Sequence, residues 1–351
     1  MIRLLLVGDP HLKKYKQHEY LPMIEQIVGH AERLKPDGVA LMGDLLDAHD
    51  TIDLTAQCDA QRLVFELSQR LQLRTIVLVG NHDRINNSEY LTKYSSLYGL
   101  SYTPQIELID QPKIIDLKGI KIGAVPYIPT GRYEEAIRGT GEEEQWRAVR
   151  LNLTHQDWRG SVYNGQVSTE GDESLTPEIP TYNGHIHDYG RPRTHILNIG
   201  APRQIAFGEN EDKALVLLII SPNPSIAIIE ERIPLDLPKR RILKLSVEEA
   251  RKWLPKDNDN SLYKLEVVGG SAAIEGFIRS DHWKMLKAKG VKLKRTYQRE
   301  VIPIRIVNDR RNYLDRLQEF IGYDKEQLAA YHRLILNYRD QLSGKNEPID
   351  S

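Results

Sequence analysis

A single cysteine, Cys58, stands among 351 residues, so no disulfide can close within the chain. A reducing intracellular compartment is expected, with Cys58 as a small buried or partly buried hydrophobe. The longest apolar run, Ala214 to Ile220, is far short of the roughly 20 residues that a membrane-spanning helix needs. Nor does the beginning of the chain read as a secretory leader. After Met1 comes a strand-like stretch ending at Gly8-Asp9, then Lys13, Lys14 and Lys16, without a small-residue cleavage site. There is no internal repeat, no low-complexity tract and no Gly-x-x-x-x-Gly-Lys-Ser/Thr loop, so any use of ATP has to come from another subunit. What is left is an ordinary globular composition, 40% hydrophobic and 28% charged, with length enough for about two domains.

A net charge of -1 hides an asymmetry. Residues 1–238 hold 24 Lys+Arg against 33 Asp+Glu, whereas residues 239–351 hold 24 against 16. Such contrast fits a chain in which one part carries metal or acid chemistry and the other faces a polyanion; ordinary scatter is the alternative.

Apolar, β-rich runs recur at Ile2 to Val7, Gly38 to Met42, Arg74 to Val79, Lys121 to Val125, Arg150 to Leu153 and Thr194 to Ile199. Between the first three, Glu19 to Leu34 and Asp53 to Leu71 space their apolar residues by three and four, so the opening reads β-α-β-α-β with parallel strands. The later runs point to a second sheet, and the polar stretch Arg159 to Pro180 to a surface loop. A boundary falls near residue 238, where Pro234, Pro238 and Lys239-Arg240-Arg241 follow a last strand at Ser225 to Glu230. Beyond it are expected strands at Leu262 to Val268, Val291 to Tyr297 and Val301 to Val307, and a helix capped at Ser280-Asp281. Asn312 to Leu342 has the apolar spacing of a helical hairpin, and residues 343–351 read as a frayed end.

Five polar clusters stand after expected strands or at turns: Gly8-Asp9-Pro10-His11, Gly43-Asp44-Leu45-Leu46-Asp47, Gly80-Asn81-His82-Asp83, Thr154-His155 and Gly184-His185-Ile186-His187. In open α/β sheets, ligands bind outside the strand C-termini, so these clusters can converge. Glycine before the polar residue lets the chain turn sharply off its strand. With His82, Asp47 and Asp83 set aside, the clusters offer Asp9, Asp44, Asn81 and the imidazoles of His11, His155, His185 and His187. Such oxygen and nitrogen donors without sulfur suit Mn²⁺, Fe²⁺ or Zn²⁺ better than Ca²⁺. Any one of these histidines, taken alone, is more readily a capped or solvent-facing residue; no structural requirement produces all five clusters in order.

These motifs resemble those of the calcineurin-like metallophosphoesterase superfamily: Asp-x-His, Gly-Asp-x-x-Asp, Gly-Asn-His-Asp/Glu, a lone His and Gly-His-x-His, here within residues 1 to about 235. The resemblance implies that Asp9, His11 and His187 bind one metal, that Asn81, His155 and His185 bind the other, that Asp44 bridges both, and that His82 acts on the phosphate. Protein phosphatases of the superfamily carry Asp-Arg-Gly after the second Gly-Asp; Ala48-His49 after Asp47 argues against that activity. A narrower resemblance, to the SbcD-type DNA repair nucleases, rests on Gly-Asp-Pro-His-Leu, on Gly-Asp-Leu-Leu-Asp, and on Asn198-Ile199-Gly200-Ala201-Pro202 leading into Ala206-Phe207-Gly208-Glu209. Ala201 and Ala206 depart from it, since that family usually has serine at both. It implies a two-sheet α/β sandwich flanked by helices (residues 1–238), a small basic α+β capping domain (239–310) and a helical hairpin (311–351) that docks a coiled-coil ATPase of the SbcC type; packing of the hairpin on its own domain is the alternative. It also implies a homodimer formed through the Asp53 to Leu71 helix. The short tail is more like the compact phage and bacterial versions.

Two divalent cations roughly 3.5 to 4 Å apart can clamp a phosphodiester and lower the pKa of a shared water from about 15.7 to roughly 7. Mn²⁺ is the expected pair, with Mg²⁺ or another divalent metal as a substitute. His82 is placed to stabilise phosphoryl charge or to protonate the leaving oxygen, with a supporting role behind the ligands as the alternative. Asp47 and Asp83 are expected to orient histidines or loop amides, and His49 to be a solvated loop residue, with a substrate-side role as the alternative. In the basic C-terminal part, Lys284, Lys287, Lys289, Lys292, Lys294, Arg295 and Arg299, interleaved with Trp283 and Tyr297, fit phosphate-backbone contacts to DNA without base reading; a merely solvated face is the plain alternative. The expected function is thus a Mn²⁺-dependent DNA exonuclease and endonuclease subunit working with an ATPase. A stand-alone phosphodiesterase for small substrates shares every ligand but needs neither the basic unit nor the tail.

Overall fold

The computed structural model describes residues 1–298 apart from 50, 164–165 and 257–258, together with residues 329, 330 and 333. The first strand, β1 (Ile2–Val7), sends Ile2, Leu4 and Leu6 into one apolar core and Leu5 and Val7 into another. Being covered on both faces, it reads as an unbroken hydrophobic run. Helix α1 (Gln17–Leu34) buries Tyr20, Met23, Ile24, Ile27, Val28 and Ala31, the stripe that its three-and-four spacing predicts, and stops where Lys35 turns left-handed. After β2 (Gly38–Leu41), helix α2 (Leu54–Phe65) starts on Asp53, whose side chain accepts from Thr55 N and Ala56 N, and it ends in one π turn, Glu66–Arg70. With β3 (Arg74–Leu78) the expected β-α-β-α-β opening is complete, and its strands pair in parallel.

The chain continues through β4 (Ile106–Ile109), β5 (Lys113–Leu117), β6 (Ile120–Val125), the short helices α3 (Tyr133–Arg138) and α4 (Glu143–Trp146), and β7 (Leu151–Thr154). The stretch expected as loop contains a small hairpin, β8 (Val162–Tyr163) and β9 (Gln166–Val167). Then come β10 (Thr181–Asn183), β11 (Gly190–Arg193), β12 (Ile196–Asn198), β13 (Ala214–Ile220) and β14 (Ile229–Pro234). Two six-stranded sheets result, β14-β13-β1-β2-β3-β4 and β11-β12-β10-β7-β6-β5. Their facing sides enclose the core that holds Leu4, Ile76, Ile122, Leu153 and Leu197, while α1 and α2 cover the outside of the first sheet. The last strand of this part lies at Ile229–Pro234 rather than Ser225 to Glu230, because Asn223 through Ile226 are used in the turn after β13.

Residues 240–297 form a separate three-stranded parallel sheet with its own apolar cluster. The elements are β15 (Arg240–Ser246), α5 (Val247–Ala250), β16 (Leu262–Gly269), α6 (Ser271–Ile278), α7 (Asp281–Ala288) and β17 (Lys292–Tyr297). Ser280 caps α7 as expected, its side chain accepting from Trp283 N. Cys58 departs from its expected burial: it is exposed, standing on the outer side of α2. Arg299, the strand expected at Val301 to Val307 and the hairpin expected over Asn312 to Leu342 lie outside the described residues. Among the described residues no helix is long and apolar enough to cross a membrane.

Candidate metal centre

The five clusters follow β1, β2, β3, β7 and β10, and all lie at the C-terminal ends of parallel strands. Their backbones are bent to meet. His11, Asp44 and His185 take left-handed conformations (φ 45°, 49° and 68°), a cost for residues other than glycine that is tolerated where the surroundings over-determine it. The motif glycines act more by closeness than by turning. A Cβ on Gly80 would stand 2.2 Å from Asp44 Oδ1. Neighbouring loops therefore nest against one another.

All seven donors come together. His187 Nε2 lies 3.0 Å from His11 Nε2, and His11 Nε2 lies 3.4 Å from Asp44 Oδ2. On the other side His155 Nε2 is 3.4 Å from the same Asp44 oxygen and 3.1 Å from Asn81 Oδ1, which His185 Nδ1 approaches to 3.0 Å. Asp9 Oδ1 accepts from the His185 amide at 3.1 Å. Asp44 is central to two sets of three potential ligands, His11-Asp44-His82 and Asp44-His155-His185. The geometry thus brings His82 within reach of the first set as well, although the sequence assigns it to phosphate. Asp44 Oδ1 accepts from His82 N, and His82 Nδ1 donates to Asp47 O at 3.0 Å.

These contacts fit cations. His155 donates from Nδ1 to Met42 O at 2.7 Å, so its other nitrogen turns a lone pair toward two oxygen acceptors, an arrangement that a positive charge must reconcile. Asp9 Oδ2 is buried without any hydrogen-bond partner. Without metal, protons answer the same need. Burial pulls the His155 imidazole down, but Asp44 and Asp9 outweigh it and push it up to about 9. His185, buried beside that charge, is pushed down to about 3. Burial, with the repulsion of Asp44 added, raises the Asp9 carboxyl, whereas the surrounding histidines hold Asp44 far below the usual carboxylate range despite its burial.

The supporting residues divide as expected. Asp83 accepts from Leu46 N and Gly80 N, both at 3.0 Å. Asp47 Oδ1 faces His11 Nδ1 at 3.3 Å, and its other oxygen takes Lys13 at 2.8 Å. His49 departs from its expected place in solvent: it is half-buried and stacks on His82 with ring centroids 4.4 Å apart. Glu209, part of a motif but without a role in the sequence reading, accepts from His187 Nδ1 at 3.1 Å. Burial opposes its charge, yet the His187 bond and Lys213 bring it down to about 2. Tyr127 escapes the sequence reading; it follows β6 without any glycine or charged neighbour to signal it, and its ring stands 5.9 Å from that of His185.

The cavity over the centre, about 340 Å³, is lined by Asp44, His82, His185, His187, Ala206 and Glu209 among others. A larger cleft, about 580 Å³ and lined by Arg147, Arg150, Tyr182 and Arg191, holds none of the candidate donors. A family profile described as calcineurin-like phosphoesterase matches residues 2–189. The chain belongs to this family. Similarity extends beyond the profile. Protein 078R of Invertebrate iridescent virus 3, which bears a provisional phosphoesterase name, is 32% identical over 323 residues, 91% of either chain. Protein 244L of Invertebrate iridescent virus 6, named in the same way, is 31% identical over 281 residues, 78% of this chain and 96% of the viral one. The SbcD component of the SbcCD nuclease of Staphylococcus epidermidis is 24% identical over 202 residues, 55% of this chain and 50% of that one. As a calcineurin-like phosphoesterase the chain is a divalent-metal hydrolase of phosphoesters, and its Asp and His clusters are where such metals can be held.

The six described DNA-contact candidates are scattered around one small unit. Lys284 pairs with Asp281, Lys294 with Glu266 and Arg295 with Glu275, while Lys287, Lys289 and Lys292 are exposed. Trp283 is buried in the cluster beneath them and cannot stack on a base, whereas Tyr297 is half exposed.

Proposed function

We propose that this phosphoesterase is a two-metal DNA nuclease subunit, Mn²⁺-dependent, with exonuclease and endonuclease activity. In this reading residues 1–238 form the nuclease domain, 239–310 a basic cap, and 311–351 a docking hairpin for a coiled-coil ATPase. The observation that carries it is the convergence of Asp9, His11 and His187 with Asn81, His155 and His185 on either side of Asp44, with one basic strand end, at Lys292, close to the loop that borders the cavity. Phe207, two residues before the cavity-lining Glu209, lies beneath Lys292 at 5.4 Å and Arg240 at 5.6 Å. A small phosphodiester needs no such basic neighbour.

Asp9, His11, His187 and Asp44 would hold one metal, and Asp44, Asn81, His155 and His185 the other. Such a pair, when bound, neutralises phosphodiester oxygens and supplies hydroxide near neutral pH. Asp44 fixes both sides at once. Its own placement is locked by the His82 amide. His82, with Nδ1–H committed to Asp47 O, is left with Nε2 to carry a proton to the departing sugar oxygen, a role worth about 10²- to 10⁴-fold. His49, stacked on the same ring, limits its rotation. A homodimer would form through α2, whose outer side exposes Leu54, Cys58 and Phe65; the weak likeness to the staphylococcal SbcD component supports a similar ATPase partner.

The decisive measurement is cleavage of linear double-stranded DNA by the full chain, with and without an ATPase partner, across divalent metals and salt. Degradation is expected with Mn²⁺, to fall steeply with salt, and to be abolished by Asp9→Ala or His82→Ala in folded protein. Hydrolysis of small phosphodiesters with DNA left untouched would make the chain a small-molecule phosphodiesterase instead.

A further inference from the structure

Gln204 is 4% exposed and sits between two parts of the molecule. Its amide nitrogen donates to Glu209 O at 2.8 Å and to Arg240 O at 3.1 Å, and its amide oxygen accepts from Arg240 N at 2.6 Å. Its own carbonyl accepts from Arg240 Nε at 2.9 Å. Arg240 is the first residue of β15 and reaches Glu19 of α1, which Arg203 also meets at 3.3 Å. On the other side, the Glu209 carboxylate is gripped by Ile205 N at 2.9 Å, Ala206 N at 3.1 Å and Lys213 at 3.2 Å. So held, it can only accept, and the hydrogen between it and His187 belongs to Nδ1. The lone pair of His187 Nε2 is thereby aimed at His11 and the centre.

We propose that Glu209 is a positioning residue that fixes the metal-ready tautomer of His187, and that Gln204 ties this support to Arg240, so that the three-stranded unit holds one ligand of the centre in place. The inference rests on the two-metal reading above. It makes two sites unequal: His187 answers to the small unit, whereas His155 is oriented by Met42 O within the sandwich. A displacement of β15 would loosen the first site and leave the second.

The test uses the full metal-stripped chain. Mn²⁺ binding is followed by calorimetry, the fold by circular dichroism and urea unfolding, and the imidazole tautomers by long-range ¹⁵N–¹H spectra, with the His187 signal identified by its loss in His187→Asn. In the wild type two Mn²⁺ bind and His187 carries its proton on Nδ1. Glu209→Ala is expected to weaken one site by about 10- to 100-fold, leave the other alone and mix the tautomers of His187. Glu209→Gln, which keeps an oxygen for Nδ1–H, recovers part of the loss. Gln204→Leu leaves Glu209 in the chain and shifts the same site in the same direction by a smaller factor. Folded Glu209→Ala with wild-type Mn²⁺ affinities and an unmixed tautomer would overturn the positioning role. Equal weakening of both sites together with a lowered unfolding midpoint would also overturn it, as a structural effect. An unaltered Gln204→Leu would overturn the link to Arg240. Failure of the wild type to bind Mn²⁺ would instead remove the two-metal reading, and the tautomer spectra would still decide whether Glu209 orients His187.

Discussion

Gly43 shows how narrowly single residues are specified here. Its φ is +105°, and a Cβ would stand 2.3 Å from His155 Nδ1, the nitrogen already engaged by Met42 O. Gly43→Ala therefore combines a left-handed penalty of about 1–2 kcal/mol with displacement of a fully buried imidazole. We expect a lower urea midpoint and loss of Mn²⁺ binding at the site of His155; a variant with wild-type binding would show that the loop can move aside. The donors themselves are legible in the sequence because each sits a few residues beyond a strand, where backbone geometry leaves few directions for a side chain. Glu209 and Gln204 are not, since their roles arise from contacts with residues 22 and 36 positions away, and nothing in local spacing encodes those meetings. His49 misleads for a similar reason: its partner is His82, across two loops.

Elements covered on both faces, or on one clear stripe, are readable from periodicity alone, as β1, β2, β3 and α1 show. Short strands are not: β10 has three residues, Thr181–Asn183, too few for any pattern, and it exists because β7 and β12 flank it in parallel. Helix α2 is readable, yet its outer side carries what a solitary helix would avoid. Leu54 is 76% exposed and Phe65 40%, with Cys58 on the same side. Apolar residues at positions 54, 58 and 65 follow helical spacing, which a second copy of the helix would cover. Leu54→Asp is then expected to shift the full chain toward monomer in sedimentation velocity without unfolding it, since a side chain so exposed contributes little to the packing of its own chain. An identical distribution of species for the two proteins would rule out α2 as the dimer contact.

Across the molecule as a whole, one like-charge pair in the small sheet bears on what that sheet could meet. On the open face of the small sheet, Lys264 of β16 is paired in register with Lys292 of β17, whereas Glu266 with Lys294, two residues on, is complementary. Like charges directly opposite on neighbouring strands are destabilising by a few tenths of a kcal/mol or more. Lys292 also stands 5.4 Å over the ring of Phe207, next in sequence to the cavity-lining Ala206; if the proposed DNA substrate lies over this face, it would neutralise the pair. Replacing both lysines with alanine should therefore have two effects of opposite sign. The protein should become slightly harder to unfold in urea, and its affinity for DNA should fall, with the slope of log K against log[salt] becoming shallower by about 2, roughly one per phosphate contact removed. Hydrolysis of a small chromogenic phosphodiester, which meets only the cavity, should suffer far less than DNA cleavage. A double variant that binds DNA with the wild-type salt slope would place the nucleic acid elsewhere and leave the lysine pair as an unexplained strain in the sheet.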